Sequence, residues 1–266
     1  MIKIGIIGAA GRMGKHLIQS IASHSGATLS AAVEYSRHPE LGQDASILAG
    51  LAESGIVLID NLEGAATASD VLIDFSSIEN IKPALSAAVA ARCGLIIGTT
   101  GLSSVETDAI RTAAVSIPII QASNYSTGIN LLAHLVKKAA AVLGNSFDIE
   151  IVEAHHRFKK DAPSGTALSL ATTVAEALDR DLNTEIRNGR SGISGERTVT
   201  EIGLHAVRGG DVVGEHTVGF YGDSERIELT HRASSRKTFA GGAVRAAVWI
   251  CGQQAGQYGM HDVLGF

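Results

Sequence analysis

The chain has 266 residues, a formal net charge of −5 and an aromatic content of only 4%. A negative balance argues against a nucleic-acid or other polyanionic partner, and the shortage of aromatic rings argues against base stacking. The length allows a large core in one or two domains, and no apolar run approaches what a bilayer crossing needs. Cys93 and Cys251 have no C-x-x-C spacing and sit among apolar residues. They read as reduced core thiols, with no metal site implied, and with the absence of a signal peptide they point to a cytoplasmic protein.

The first stretch, Met1 to Gly14, is an apolar strand running into a Gly-rich turn. A helix follows with Met13, Leu17, Ile18 and Ile21 on one face, and a second strand from Leu29 to Val33 ends in Glu34. A strand, a Gly-rich turn, a helix, and an acid at the tip of the next strand make a dinucleotide-binding βαβ unit. Glycines let the backbone approach a pyrophosphate, the helix N-terminus favours its charge, and Glu34 accepts from ribose hydroxyls. The spacing is G-x-x-G-x-x-G, at Gly8, Gly11 and Gly14, which departs from the commoner G-x-G-x-x-G.

Short β-branched runs continue at Ile56–Ile59, Val71–Phe75, Leu95–Ile97 and Ile117–Ile120, separated by Ala-rich helical segments. One of these helices, Asn80–Arg92, carries Pro83 in its first turn, where proline is tolerated. The pattern predicts a parallel sheet covered on both faces, which binds ligands beyond the carboxyl ends of its strands. Three polar loops fall there in register: Asp74-Phe-Ser-Ser77, Gly98-Thr-Thr-Gly101 and Ala122-Ser-Asn-Tyr125.

An apolar helix over Thr127–Leu143 leads to an alternating strand from Phe147 to Val152. Then Glu153 to Ala167 packs two histidines, three cations, two carboxylates and a Pro-Ser-Gly-Thr turn into fifteen residues. This reads as a strand end, a loop and the start of a helix over 164–180, with Ser164 as N-cap. Unpaired N–H groups of Gly165 and Thr166 would there face an anion, with Lys159 and His156 beside it. Arg187 to Arg197 reads as a long loop that is either mobile or able to clamp an acidic ligand. Strands are expected over 198–206, 212–221 and 226–231, with hairpin-type turns at Gly209-Gly210 and Gly222-Asp223-Ser224. An open sheet of this kind needs its exposed face covered, so it is expected to pack against a copy of itself. A last helix over 238–253 places Phe239, Ala243, Ala247, Ile250 and Cys251 inward, and the C-terminal segment is expected to return to the first domain.

The fold class is therefore α/β: an N-terminal Rossmann-type parallel-sheet domain, plus a C-terminal α+β domain with an open mixed sheet. The first domain is expected over 1–126, completed by 237–266, and the second over 127–236.

Across nearly its whole length the chain resembles the 4-hydroxy-tetrahydrodipicolinate reductases, also called dihydrodipicolinate reductases, of bacterial lysine and diaminopimelate biosynthesis. The resemblance is carried by Gly8 to Gly14, Gly98-Thr-Thr-Gly101, Asn124-Tyr-Ser126, Glu153-Ala-His-His-Arg157, Lys159, Asp161 to Thr166, and Arg208 to His216. It implies NADH or NADPH as cofactor, a small cyclic dicarboxylate as substrate, and a homotetramer built by the second domain. It places the proton donor at His155, a catalytic lysine at Lys159, and substrate contacts at His156, Gly165 and Thr166. The cofactor-binding residues it implies are Gly8, Ala9, Ala10, Gly11, Arg12 and Met13 of the Gly-rich turn. Glu34 joins them, with Gly98, Thr99, Thr100, Ala122, Ser123, Asn124 and Tyr125 at the strand ends. Well-known members often carry an arginine directly after the ribose-binding acid, where it pairs with the 2′-phosphate of NADPH. Here that position is Tyr35, so NADH is expected to serve at least as well as NADPH.

The chemistry fits these residue types. Hydride delivery to a conjugated imine needs an accompanying proton and cations that hold two carboxylates. A histidine suits the first task near neutral pH, and Lys159 with a helix N-terminus suits the second. A semialdehyde dehydrogenase would need a cysteine nucleophile in a polar loop, and neither cysteine occupies one. A dinucleotide sensor without activity would not need His155, Lys159 and Ser164-Gly-Thr166 together.

Overall fold

The computed structural model describes all 266 residues, Met1–Phe266, and the chain divides into two compact units. Met1–Thr127 and Arg236–Phe266 form the first, and Gly128–Ser235 the second. The first unit opens with β1 (Ile2–Ile7), α1 (Arg12–Ala22), β2 (Ala27–Val33), α2 (Ala45–Leu48), β3 (Leu58–Ile59), α3 (Leu62–Ala68) and β4 (Val71–Asp74). It continues with α4 (Ile81–Ala91), β5 (Gly94–Ile97), α5 (Ser104–Ala113) and β6 (Pro118–Gln121). A long helix, α6 (Thr127–Leu143), leads into the second unit. That unit holds β7 (Asp148–His155), α7 (Gly165–Ala177), α8 (Leu182–Glu185), β8 (Ile186–Asn188), β9 (Ile202–Arg208), β10 (Gly214–Tyr221) and β11 (Arg226–Ala233). The chain closes with α9 (Lys237–Ile250), β12 (Gly256–Tyr258) and α10 (Met260–Leu264).

The first unit is a seven-stranded sheet in the order β12-β6-β5-β4-β1-β2-β3, all of whose pairings are parallel. Its central strands are apolar throughout because both faces are covered. Ile6, Ile73 and Ile96 point into one core with Leu17, Ile18 and Ile21 of α1 and Ala243, Val244 and Ala247 of α9. Their neighbours Ile7, Leu72, Leu95 and Ile97 point the other way, onto Ala84, Leu85 and Ala88 of α4 and Ile110 of α5. The two-residue period of the strands thus sorts one apolar run between two cores. Within this unit α9 lies close to the loop after β6. A methyl group on Gly242 would collide with the Tyr125 carbonyl. The short strand β12, which the sequence did not suggest, extends the sheet beside β6.

The second unit is a five-stranded mixed sheet in the order β11-β10-β7-β9-β8. Ile149 and Ile151 of β7, Ile202 and Leu204 of β9, and Val218 and Phe220 of β10 cover α6 and α7 through Val136, Leu170, Ala171 and Val174. On the opposite face Val152 and Val207 remain 41% and 51% exposed. The Gly222–Ser224 turn joins β10 to β11 as a hairpin. The Gly209-Gly210 turn does not make one, because β7 lies between β9 and β10 and pairs with both. It instead crosses the end of β7, where the Gly209 amide donates to the His155 carbonyl and the Arg157 amide to the Gly210 carbonyl. A glycine pair permits a sharp reversal but carries no information on which strand is inserted beneath it.

The segment expected as a loop over 187–197 begins as the edge strand β8, which pairs with β9. Two of its arginines, Arg190 and Arg197, are already paired with carboxylates. Arg190 and Arg197 both bond the Glu150 carboxylate, which also holds His205 at 2.7 Å. Arg190 further pairs with Glu201, and Arg197 with Asp148. Burial pushes the Glu150 carboxyl up, but Arg190, His205 and Arg197 outweigh it and hold it at about 2, against an ordinary 4.5. A depressed carboxyl contributes stability above its unfolded value and loses it as pH falls towards the folded one. Glu150→Gln is therefore expected to lower Tm at pH 7. In thermal scans the gap to the unmodified protein narrows steadily below pH 4.5, where the parent carboxylate begins to lose its advantage.

Candidate active site

In the second unit the buried face of β7 changes character towards its end. Ile149 and Ile151 are followed on the same face by Glu153 and His155, both buried. A fully buried carboxylate is tolerated only when its lone pairs are met. Glu153 meets all four. Its Oε1 accepts from Arg208 Nη2 at 2.8 Å and from the Ser164 amide at 3.0 Å. Its Oε2 accepts from Arg208 Nη1 at 2.8 Å and pairs with His155 Nδ1 at 2.6 Å. Burial raises the Glu153 carboxyl, but Arg208, His155 and the Ser164 amide outweigh it, so it stays below the ordinary carboxylate range.

Ser164 is the N-cap of α7, its hydroxyl accepting from the Ala167 amide as the sequence had suggested. The helix thus starts at Gly165, whose position is open enough that an added methyl would touch nothing. The first amides of a helix have no partner within it and favour an anion. Thr166 stands half-buried beside Gly165 at this start. In the loop before it the Ala162–Pro163 peptide is cis, Lys159 Nζ pairs with Asp161 at 2.9 Å, and Arg208 Nη2 donates to the Asp161 carbonyl. His156 is half-buried and its Nδ1 is sealed from solvent without a hydrogen-bond partner.

His155 and His216 meet edge to face with ring centres 5.2 Å apart. Burial pushes both below the ordinary imidazole value; the Glu153 bond opposes this at His155, whereas His216 falls to about 4, with the charge of His155 acting in the same direction. His216 Nε2 lies 3.2 Å from the Ser164 hydroxyl. The roles of Glu153, Arg208 and His216 were not read from the sequence. The signal for Glu153 was present in the i, i+2 spacing to His155, which puts both side chains on one face of a strand.

In the first unit the carboxyl ends of the parallel strands carry the polar loops. Gly8 ends β1 at φ 77°, a left-handed conformation that glycine adopts without strain, and a methyl there would lie 3.1 Å from Ser76. A methyl on Gly14 would collide with the carbonyls of Gly8 and Ala9. Gly11 caps α1 without a side-chain bond, and Arg12 beside it is exposed, while Met13 is half-buried and Ala9 buried. The result is a helix start without a side-chain cap, the kind of start a pyrophosphate requires. Glu34 Oε1 accepts from the Ala10 amide at 2.9 Å, which ties the tip of β2 to this turn and leaves Oε2 available. A cavity of about 280 Å³ beside it is lined by Gly8, Glu34, Tyr35 and Asp60, among others. Asp60 is a further acid that sequence reading passed over. The parallel pairing of Val33 with Ile59 brings it level with Glu34.

A second cavity, about 430 Å³, is lined by Phe75, Ser76, Gly98, Thr99 and Thr100 at the ends of β4 and β5. Thr99 Oγ1 is buried without a partner. Ala122 is tied to the sheet through its amide, which donates to the Ile97 carbonyl. Ser123 is exposed, and Asn124 Oδ1 accepts from the Ser126 amide. The Tyr125 side chain is buried, and its hydroxyl donates to the backbone, 2.8 Å from the Ile97 carbonyl and 3.1 Å from that of Ile120. It therefore serves the core of the sheet.

No three His, Cys, Asp or Glu side chains cluster to hold a metal ion, and no helix is long and apolar enough to cross a membrane.

Residues 2–125 match the family model described as dihydrodipicolinate reductase, N-terminus, and residues 128–264 the model described as its C-terminus. The chain is 51% identical over 263 residues to the 4-hydroxy-tetrahydrodipicolinate reductase of Alkalilimnicola ehrlichii, covering 99% of this chain and 98% of that one. It is 49% identical to the enzyme of the same name from Magnetococcus marinus, covering 100% of this chain and 99% of its relative. Among solved structures, the dipicolinate-bound dihydrodipicolinate reductase of Paenisporosarcina sp. TG-14 superposes with a TM-score of 0.73. It is 23% identical, with 97% of each chain covered, which supports the fold.

The cradle makes a direct prediction. Gly14→Ala forces the turn off its own carbonyls, so dinucleotide affinity measured by fluorescence titration falls by ~10-fold or more, the equivalent of about 1.4 kcal/mol.

Proposed function

The chain belongs to the dihydrodipicolinate reductase family, and from that premise we propose how its own residues serve the reaction. It is an NAD(P)H-dependent oxidoreductase that reduces 4-hydroxy-tetrahydrodipicolinate to tetrahydrodipicolinate in lysine and diaminopimelate biosynthesis. The first unit holds the dinucleotide: Gly8, Ala9, Ala10, Gly11, Arg12 and Met13 take the pyrophosphate, and Glu34 Oε2 the ribose. Gly98, Thr99 and Thr100, with Ala122, Ser123 and Asn124, line the nicotinamide side, and the unpartnered Thr99 hydroxyl is a ready donor or acceptor there. Bound there, the reduced nicotinamide supplies the hydride.

The second unit holds the dicarboxylate. Gly165 and Thr166 take one carboxylate on the amides at the start of α7, with Lys159 and His156 beside it. His155 delivers the proton from Nε2. The observation that carries this reading is the Glu153 carboxylate, which bonds both the His155 ring and the amide of Ser164, the N-cap of the carboxylate-binding helix. Burial leaves the free His155 below its ordinary value, and a bound dianion beside it acts in the opposite direction, favouring the protonated donor. Dipicolinate, bound in the relative of Paenisporosarcina, is a planar dicarboxylate of the shape this site would accept. Four copies assemble through the uncovered face of the mixed sheet around Val152 and Val207, and the protein works in the cytoplasm, where reduced dinucleotide is maintained.

His155→Gln and Lys159→Ala are each expected to lower kcat by ~100-fold or more, while dinucleotide affinity stays unchanged. Near-normal turnover in either variant reassigns its role.

The ribose-side cavity also bears on cofactor choice. Glu34 and Asp60 both line it, Tyr35 stands 62% exposed at its edge, and no lysine or arginine belongs to its lining. Two carboxylates repel a 2′-phosphate and accept free hydroxyls. Steady-state kinetics with both cofactors are expected to show NADH used at least as well as NADPH. Tyr35→Arg and Asp60→Asn each raise kcat/KM for NADPH and leave NADH nearly unchanged. A tenfold preference of the unmodified enzyme for NADPH would place the phosphate on Arg12 or Arg37 instead.

A further inference from the structure

We propose that Glu153 is the positioning residue of this enzyme: it fixes His155 as the Nδ1–H tautomer, which makes Nε2 the only nitrogen that can carry the transferred proton. The inference rests on the reading of His155 as proton donor. An ionised carboxylate has no hydrogen to give, so in the 2.6 Å contact between Glu153 Oε2 and His155 Nδ1 the ring nitrogen is the donor. The same Glu153 carboxylate is saturated by two bonds from Arg208 and one from the Ser164 amide. With four donors converging on two oxygens, the side chain has no second orientation in which it could release the imidazole. His155 Nδ1 therefore keeps its hydrogen in both charge states, and gain or loss of a proton falls on Nε2, which has no hydrogen-bond partner in the protein and lies beside Gly214 of β10.

Every strand around the ring contributes to this setting. Glu153 comes from its own strand β7, Arg208 from β9, His216 from β10, and Lys159 with Asp161 from the loop that follows. The guanidinium cancels the Glu153 charge through a bidentate bond, so the carboxylate orients the ring without trapping it as a permanent imidazolium. His216 stays neutral above a pH of about 4, and Lys159 disfavours a second positive charge nearby. Glu153 also spans two functions: one oxygen holds the amide of the α7 N-cap, and the other holds the proton donor. A shift of the helix start on binding a carboxylate would thus reach His155 through a single side chain.

The tautomer is read in the unmodified full-length protein by NMR with 15N-labelled histidine, the His155 signals being assigned by their loss in His155→Gln. The neutral ring is expected to carry its hydrogen on Nδ1 and none on Nε2; the opposite tautomer overturns the proposal. In Glu153→Gln the limb of the kcat–pH profile that falls as the donor loses its proton is expected to move to lower pH by about one to three units, because a nearby negative charge no longer favours the imidazolium. A smaller change in KM should accompany it, and an unmoved limb contradicts the proposal. If the unpaired Arg208 prevents that variant from folding, Glu153→Gln with Arg208→Gln removes both charges, and a smaller shift in the same direction is expected, because Glu153 acts on His155 more strongly than Arg208 does in the opposite sense; an unmoved limb there too contradicts the proposal. The two readings fail separately. Full turnover in His155→Gln would remove His155 as donor while leaving the tautomer result standing. An inactive His155→Gln with the wrong tautomer would remove only the role of Glu153.

Discussion

A fully buried carboxylate with four hydrogen bonds governs the second unit. Glu153 sits where β7 leaves the apolar core, and its partners come from β7 itself, from β9 and from the N-cap of α7. Removing a charge of this kind from water is costly, and in stability alone such networks often do no better than apolar packing. What the network secures is relative position. The imidazole of His155, the amides at Gly165 and Thr166, and the loop carrying Lys159 are held to one another by bonds with little freedom in length or angle. The apolar part of the same face, built from Ile149, Ile151, Val218 and Phe220 against α6 and α7, supplies the rigid base beneath it.

The first unit reaches its chemistry by a different constraint, close approach of backbone. At Gly14 the helix presses on the carbonyls of the turn it follows, and at Gly242 α9 presses on the carbonyl of Tyr125. Side chains are excluded at both places. Glu34, bonded to the Ala10 amide, closes the turn from the side of β2. Parallel pairing then ranks the polar loops at one edge of the sheet, so that glycines, acids and threonines far apart in the chain share the ends of adjacent strands.

Much of this was legible from residue order. The strands of the parallel sheet are short apolar runs bounded by glycines and polar loops. The N-cap at Ser164 follows from its residue type, as does the anion-ready helix start behind it. The misses share one cause, since local pattern does not record what lies alongside. Gly209-Gly210 has hairpin composition, yet β7 is inserted between the strands it joins. Arg190 and Arg197 have the composition of a ligand clamp, yet Glu150, Glu201 and Asp148 already occupy them. Asp60 becomes part of a ribose-side cavity only because β3 pairs in register beside β2. Gly256-Gln-Tyr258 is too short to declare itself a strand before β6 offers an edge.

The central claim is that one dicarboxylate rests on the start of α7 under the His155 ring. A crystal structure of the enzyme with dipicolinate and NADH tests it most directly. The account predicts one carboxylate accepting from the Gly165 and Thr166 amides, Lys159 released from Asp161 towards it, and His155 Nε2 facing the ligand while Nδ1 stays on Glu153. Dipicolinate found away from the α7 start, or a His155 ring turned off Glu153, would contradict it.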